Sequence, residues 1–205
     1  SLNIYSHRQP YLLKPFLDAY TKKTGVKLNV VYSSKGLAQR LAAEGENSPA
    51  DLILTVDIAR LYRYEDLGLL AKINSNVLNE NIPSYLRSQN KTWFGLSKRT
   101  RAIAVSKERM KAGDVLRYED LADKKLKGKI CSRPGSHVYN RALMASMISA
   151  LGEAEAEKWA RGLVSNLAKR PQGNDRSQLK SIYAGECDVA VINHYYYGKL
   201  TYSKN

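Results

Sequence analysis

The stretch SLNIYSHRQPYLLKPFLDAYTKKTGVKLNVVYSSKGLAQRLAAEGENSPADLILTVD, residues 1–57, sets the architecture. Leu2-Asn3-Ile4-Tyr5 reads as a short strand. A helix is expected from about Pro10, a favoured first-turn position, because Leu13, Phe16, Leu17 and Tyr20 recur at helical spacing. Gly25 stands where a helix C-cap belongs. Residues 26–32 alternate as a strand, and Ser33 or Ser34 can cap a second helix that carries Leu37, Leu41 and Ala42 on one face. Residues 50–56, opening after Ser48-Pro49, form an apolar run of buried-strand type. The order β-α-β-α-β predicts an open parallel sheet covered by helices.

Beyond this stretch the pattern is helical over residues 57–68 and 77–86, and a strand is expected at residues 101–105. The βα alternation then restarts. Residues 129–132 read as a strand, Arg133-Pro134-Gly135-Ser136 as a tight turn, and residues 138–150, 153–168 and 177–184 as helices. A last strand at residues 188–192 runs into His194-Tyr195-Tyr196-Tyr197. Two α/β lobes are therefore expected, residues 1–98 and 99–205, each a mostly parallel sheet flanked by helices, with a crossing segment near residues 97–106 and a cleft between them. Ligands of such sheets sit at the carboxyl ends of the strands. That directs attention to residues 6–9, 55–57, 132–140 and 193–197.

Composition narrows the function. No apolar run approaches the roughly 18 residues that span a bilayer. The net charge of +14 would suit a nucleic-acid partner, but lysines and arginines are scattered through every element and aromatics do not interleave with them, so nucleic acid is not expected. A solvated basic surface or an anion site remains. No phosphate loop, nucleophile elbow or His/Cys metal pair is present, and none of His7, His137 and His194 has a triad context, so a binding protein is expected and not an enzyme. The two cysteines, Cys131 and Cys187, each flank a predicted strand. They can pair, closing a loop worth about 3–4 kcal/mol, or lie as two buried thiols.

The aromatic inventory is lopsided: 14 tyrosines against 2 phenylalanines and 2 tryptophans. Packing alone would be shared with phenylalanine, so some phenolic oxygens are wanted for themselves. Tyr195 and Tyr196 can address one point only if the backbone turns where the strand ends. Tyr139 occupies the equivalent place after the strand at residues 129–132. Phenolate is a hard anionic donor, and with a free pKa of about 10 it is held ionised at neutral pH only by a strongly acidic cation such as ferric iron. Arg8, Arg99 and Arg101 could offset an accompanying anion. Half-buried tyrosines with solvated hydroxyls are the plainer alternative.

These residues resemble the periplasmic ferric-ion-binding proteins, the bacterial transferrins of iron ABC importers, which have the type II periplasmic-binding-protein architecture. The resemblance lies in residues 4–12 (IYSHRQPYL), 48–51 (SPAD), 54–58 (LTVDI), 93–96 (WFGL), 169–173 (KRPQG) and 193–199 (NHYYYGK). It implies periplasmic capture of ferric iron for an ABC permease by a monomer that does not itself span the membrane. Tyr139, Tyr195 and Tyr196 would be the metal ligands, with Tyr197 outside the shell and a carbonate-type anion completing it. Arg8, Gln9, Arg101, Ser136 and Asn193 would contact the anion or support the ligands, and Cys131 would pair with Cys187. Many relatives place a histidine or tyrosine ligand in the loop after the first strand, where this chain has Gln9-Pro10, with His7 nearby. Family members also continue further, so the chain is expected to be truncated at its C-terminus. The metal-free alternative is a periplasmic receptor for an oxyanion or small organic acid.

Overall fold

In the computed structural model, which describes residues 1–111 and 113–202, the chain divides into two units, Ser1–Ser97 and Lys98–Asn205. The first holds strands β1 (Leu2–Ser6), β2 (Leu28–Tyr32) and β3 (Leu52–Leu54), with helices α1 (Pro10–Thr24), α2 (Leu37–Glu44), α3 (Ile58–Asp66) and α4 (Asn76–Asn81). Its sheet has the order β2-β1-β3 with both pairings parallel, as the alternating β and α segments require. Gly25 closes α1 at φ 72°, a left-handed conformation that favours glycine. Tyr5, Leu37, Ala38, Leu41 and Tyr64 form the core of this unit.

Two expectations here are corrected. The second helix is not capped by Ser33 or Ser34. Ser33 spends its hydroxyl on Lys35 in a local turn, and Gly36 occupies the N-cap. The apolar run of residues 50–56 forms a strand only at Leu52–Leu54, with Leu52 exposed and not buried, and Asp57 soon after caps α3, accepting from the Ala59 N–H at 3.0 Å.

The second unit holds β4 (Arg101–Val105), β5 (Ile130–Cys131) and β6 (Val189–Asn193), with helices α5 (Val138–Leu151), α6 (Glu153–Ser165), α7 (Asp175–Tyr183) and α8 (His194–Tyr202). The sheet order is β4-β6-β5, β5 parallel and β4 antiparallel to the central β6. All five residues of β6 are buried because both faces are covered, which is why residues 189–192 read as an unbroken apolar run. Val189 and Val191 join a cluster with Leu121, Leu126, Ile130, Leu143, Met147 and Trp159, while Ala190 and Ile192 join one with Leu179, Ile182 and the Cys131–Cys187 disulfide. The pairing that the resemblance implied is thus present. Among the described residues no helix is long and apolar enough to cross a membrane.

Candidate metal site

The topology brings three chain segments to one edge of the second sheet. β5 runs parallel beside β6, so the chain leaves Cys131 and Asn193 at the same edge. β4 runs antiparallel with Arg101 opposite Asn193, so the start of β4 lies there too. Tyr139 is on the first turn of α5, whose N-cap is His137: its Nδ1 accepts from the Tyr139 N–H at 3.1 Å. Tyr195 and Tyr196 are on the first turn of α8, which begins directly after β6 with no intervening loop.

That helix supplies the backbone turn the paired tyrosines need. Successive residues of an α-helix diverge by about 100°, so Tyr195 and Tyr196 project to adjacent sectors and Tyr197 rotates away. Their ring centroids are 4.5 Å apart, whereas Tyr197 is 52% exposed. The Tyr139 hydroxyl lies 3.5 Å from that of Tyr195. Asn193 Nδ2 donates to the Tyr195 hydroxyl at 3.1 Å, and an Arg99 guanidinium N–H donates to that of Tyr139 at 2.9 Å. Guanidinium carbons of Arg99 and Arg133 stand 5.0 Å from the Tyr139 ring centroid, and that of Arg101 at 5.7 Å. Arg176 lies over the Tyr196 ring at 5.7 Å.

These surroundings split the three phenols. Burial, then the Tyr195 hydroxyl, pushes Tyr139 above the ordinary tyrosine range against the pull of Arg99 and Arg133. Burial acts the same way on Tyr195, but hydrogen bonds with Tyr139, Asn193, Tyr196 and Arg99 outweigh it and bring this phenol below that range. Tyr196, desolvated and beside Tyr195, is pushed up to about 12. Tyr195 is therefore the first to ionise. Among the described residues no cluster of three or more His, Cys, Asp or Glu side chains has metal-binding geometry.

The other expected site residues are placed unequally. Asn193 is buried and touches Tyr195 directly. Arg101 donates inward, to Asp175, Asn193, Asn140 and the Val191 carbonyl. Ser136 is exposed in the turn before α5. Arg8 and Gln9 belong to the first unit. The backbone N–H of Arg8 donates to Ser6 Oγ at 2.9 Å, and Gln9 is the exposed N-cap of α1 with no side-chain cap bond. His7 has both ring nitrogens engaged, Nδ1 with the Ser33 carbonyl at 2.8 Å and Nε2 with the Tyr64 hydroxyl at 2.9 Å. Sequence reading missed Asp175, which is fully buried beneath the edge. Asn174 immediately before it is a strong N-cap residue, and it accepts from the N–H groups of Arg176 and Ser177. That signal could have moved the start of α7 back from the expected residue 177.

Comparison with known proteins agrees with the resemblance in the sequence. The model of the bacterial extracellular solute-binding protein family matches residues 5–204. The chain is 42% identical over its whole length to iron uptake protein A1 of Synechocystis sp., of which it covers 57%. Among solved structures, it is similar to the ferric iron-binding protein A of Mannheimia haemolytica in an open conformation (TM-score 0.88, 47% identity, 97% of this chain and 63% of that one). It is also similar to the Trichodesmium IdiA (FutA) protein in complex with iron and citrate ligands (TM-score 0.91, 44% identity, 100% of this chain and 65% of that one). The chain thus spans less than two thirds of the length of these relatives. By the extent of the family match, the chain belongs to the bacterial extracellular solute-binding proteins.

Proposed function

We propose that this protein captures ferric iron in the periplasm through the phenolates of Tyr139, Tyr195 and Tyr196, and passes it to an ABC permease. The observation that carries this reading is the convergence of three tyrosines from two helix starts on one sheet edge, with hydroxyls of Tyr139 and Tyr195 at 3.5 Å and cationic side chains around them. Three phenolates match the charge and hardness of a trivalent ion. The relatives named for iron uptake and ferric binding support the choice of metal. The role is one of binding, not catalysis.

A carbonate-type anion would complete the shell. Donor capacity for it exists at this edge: Arg101 Nε and Arg133 Nε are buried N–H groups with no acceptor among the described residues, and such donors are costly to leave unpaired. The same two N–H groups favour a second reading, a metal-free receptor for an oxyanion or small organic acid. Competition titration decides between them. Ferric iron supplied as its nitrilotriacetate complex should transfer to the protein, more tightly with bicarbonate present. Binding of small carboxylates or oxyanions with no uptake of iron would establish the second reading instead.

A further inference from the structure

We propose that Asp175 is a positioning residue for the tyrosine site, acting through Asn193 and Arg133 on Tyr195 and Tyr139. The inference rests on the ferric reading above and adds a residue that touches no ligand.

Asp175 opens α7 and is fully buried. A buried carboxylate must be paired and hydrogen-bonded to persist, and a helix N-terminus favours its charge. Its partners are all accounted for. Oδ1 accepts from Arg133 at 2.8 Å. Oδ2 accepts from Arg101 at 2.8 Å and from the backbone N–H of Asn193, also at 2.8 Å. One carboxylate therefore ties together β4, the loop after β5, the start of α7 and the last residue of β6.

Each tie reaches a tyrosine. Held by Asp175, Arg101 donates to Asn193 Oδ1 at 3.2 Å, which fixes the amide orientation so that Nδ2 faces the Tyr195 hydroxyl at 3.1 Å. The backbone bond to Asn193 fixes where β6 stops and α8 begins, and so the sectors into which Tyr195 and Tyr196 project. The other oxygen holds Arg133 against the Tyr139 ring. Arg101 also donates to Asn140, whose Nδ2 donates to the Arg133 carbonyl at 3.0 Å, so the loop carrying Tyr139 is braced from both sides. Groups that orient metal ligands from behind typically contribute about 10–100-fold to affinity.

The test compares wild type, Asp175→Asn and Asn193→Ala, loaded with ferric iron from its nitrilotriacetate complex. It reads affinity and the maximum of the visible iron–phenolate absorption. Asp175→Asn should bind about 10–100-fold more weakly and move the maximum. A purely structural contribution would lower stability and leave the maximum of the loaded protein where it was. Asn193→Ala leaves Asp175 with both arginines and removes only the end of the relay, so it keeps the test decisive should Asp175→Asn fail to fold. It should weaken binding and move the maximum in the same sense. Wild-type affinity and an unmoved maximum in Asn193→Ala, or in a folded Asp175→Asn, would overturn the proposal. If wild type itself develops no absorption, the ferric reading fails and not the relay in particular.

Discussion

Tyr196, with its pKa pushed to about 12 by burial and by its neighbour Tyr195, keeps its proton throughout the physiological range, and the raised Tyr139 does so as well. Iron must displace those protons. Loading at neutral pH should release at least two protons per ion, from Tyr139 and Tyr196, and affinity should fall as pH falls because protonation competes with the metal. Proton release followed in weakly buffered solution checks the count. Substituting Tyr195→Phe or Tyr196→Phe removes a donor and should cut ferric affinity at least about 100-fold, more than the loss of a supporting group would. Tyr197→Phe should leave affinity unchanged, since its ring turns outward. That Tyr139, Tyr195 and Tyr196 gather at one sheet edge was legible from their place after two strands. Asp175 was not, because nothing local distinguishes a buried carboxylate from the solvated ones that open many helices.

Elements with one clear apolar pattern were the easiest to read. β6 announces itself because both of its faces are buried, and α1 because apolar residues and the two ends agree. The start of α8 was harder, since three consecutive tyrosines show no apolar stripe and the helix is set by where Asn193 is anchored. Close packing between elements makes its own demand at Gly162 on α6. A Cβ there would meet Ala122 Cβ at 2.7 Å and its backbone at 3.2 Å. Alanine would gain about 1 kcal/mol of helix propensity, but overpacking typically costs about 1–3 kcal/mol. Since the opposing backbone cannot swing aside, Gly162→Ala should lower stability in urea denaturation. At the end of α2, Glu44 is held at about 2, below its ordinary 4.5, by Arg40 first, then Ser48 and the buried Tyr5 hydroxyl. A depressed carboxylate contributes stability that is present above its unfolded pKa and lost as pH falls through the folded one. The first unit should therefore weaken between about pH 4.5 and 2, and Glu44→Gln should flatten that dependence in urea midpoints measured across the window.

For the molecule as a whole, composition settled less than topology did. The charge of +14 spreads over every element, while the arginines around the candidate site are the few that the start of β4, the residues just before it and the loop after β5 bring to one edge. The cysteine count left pairing open. Neighbouring β5 and β6 settle it by bringing Cys131 and Cys187 to a Cα separation of 5.8 Å across 56 residues of sequence. Reducing that bond should lower stability by about 4 kcal/mol in denaturant titrations with and without reductant. All three candidate ligands lie in the second unit, Lys98–Asn205. The visible spectrum recorded during ferric titration tests their role most directly. A charge-transfer band should grow to saturation at one iron per chain and be lost or strongly diminished in Tyr195→Phe and Tyr196→Phe. A colourless titration, or a band indifferent to both substitutions, would contradict phenolate binding at this edge.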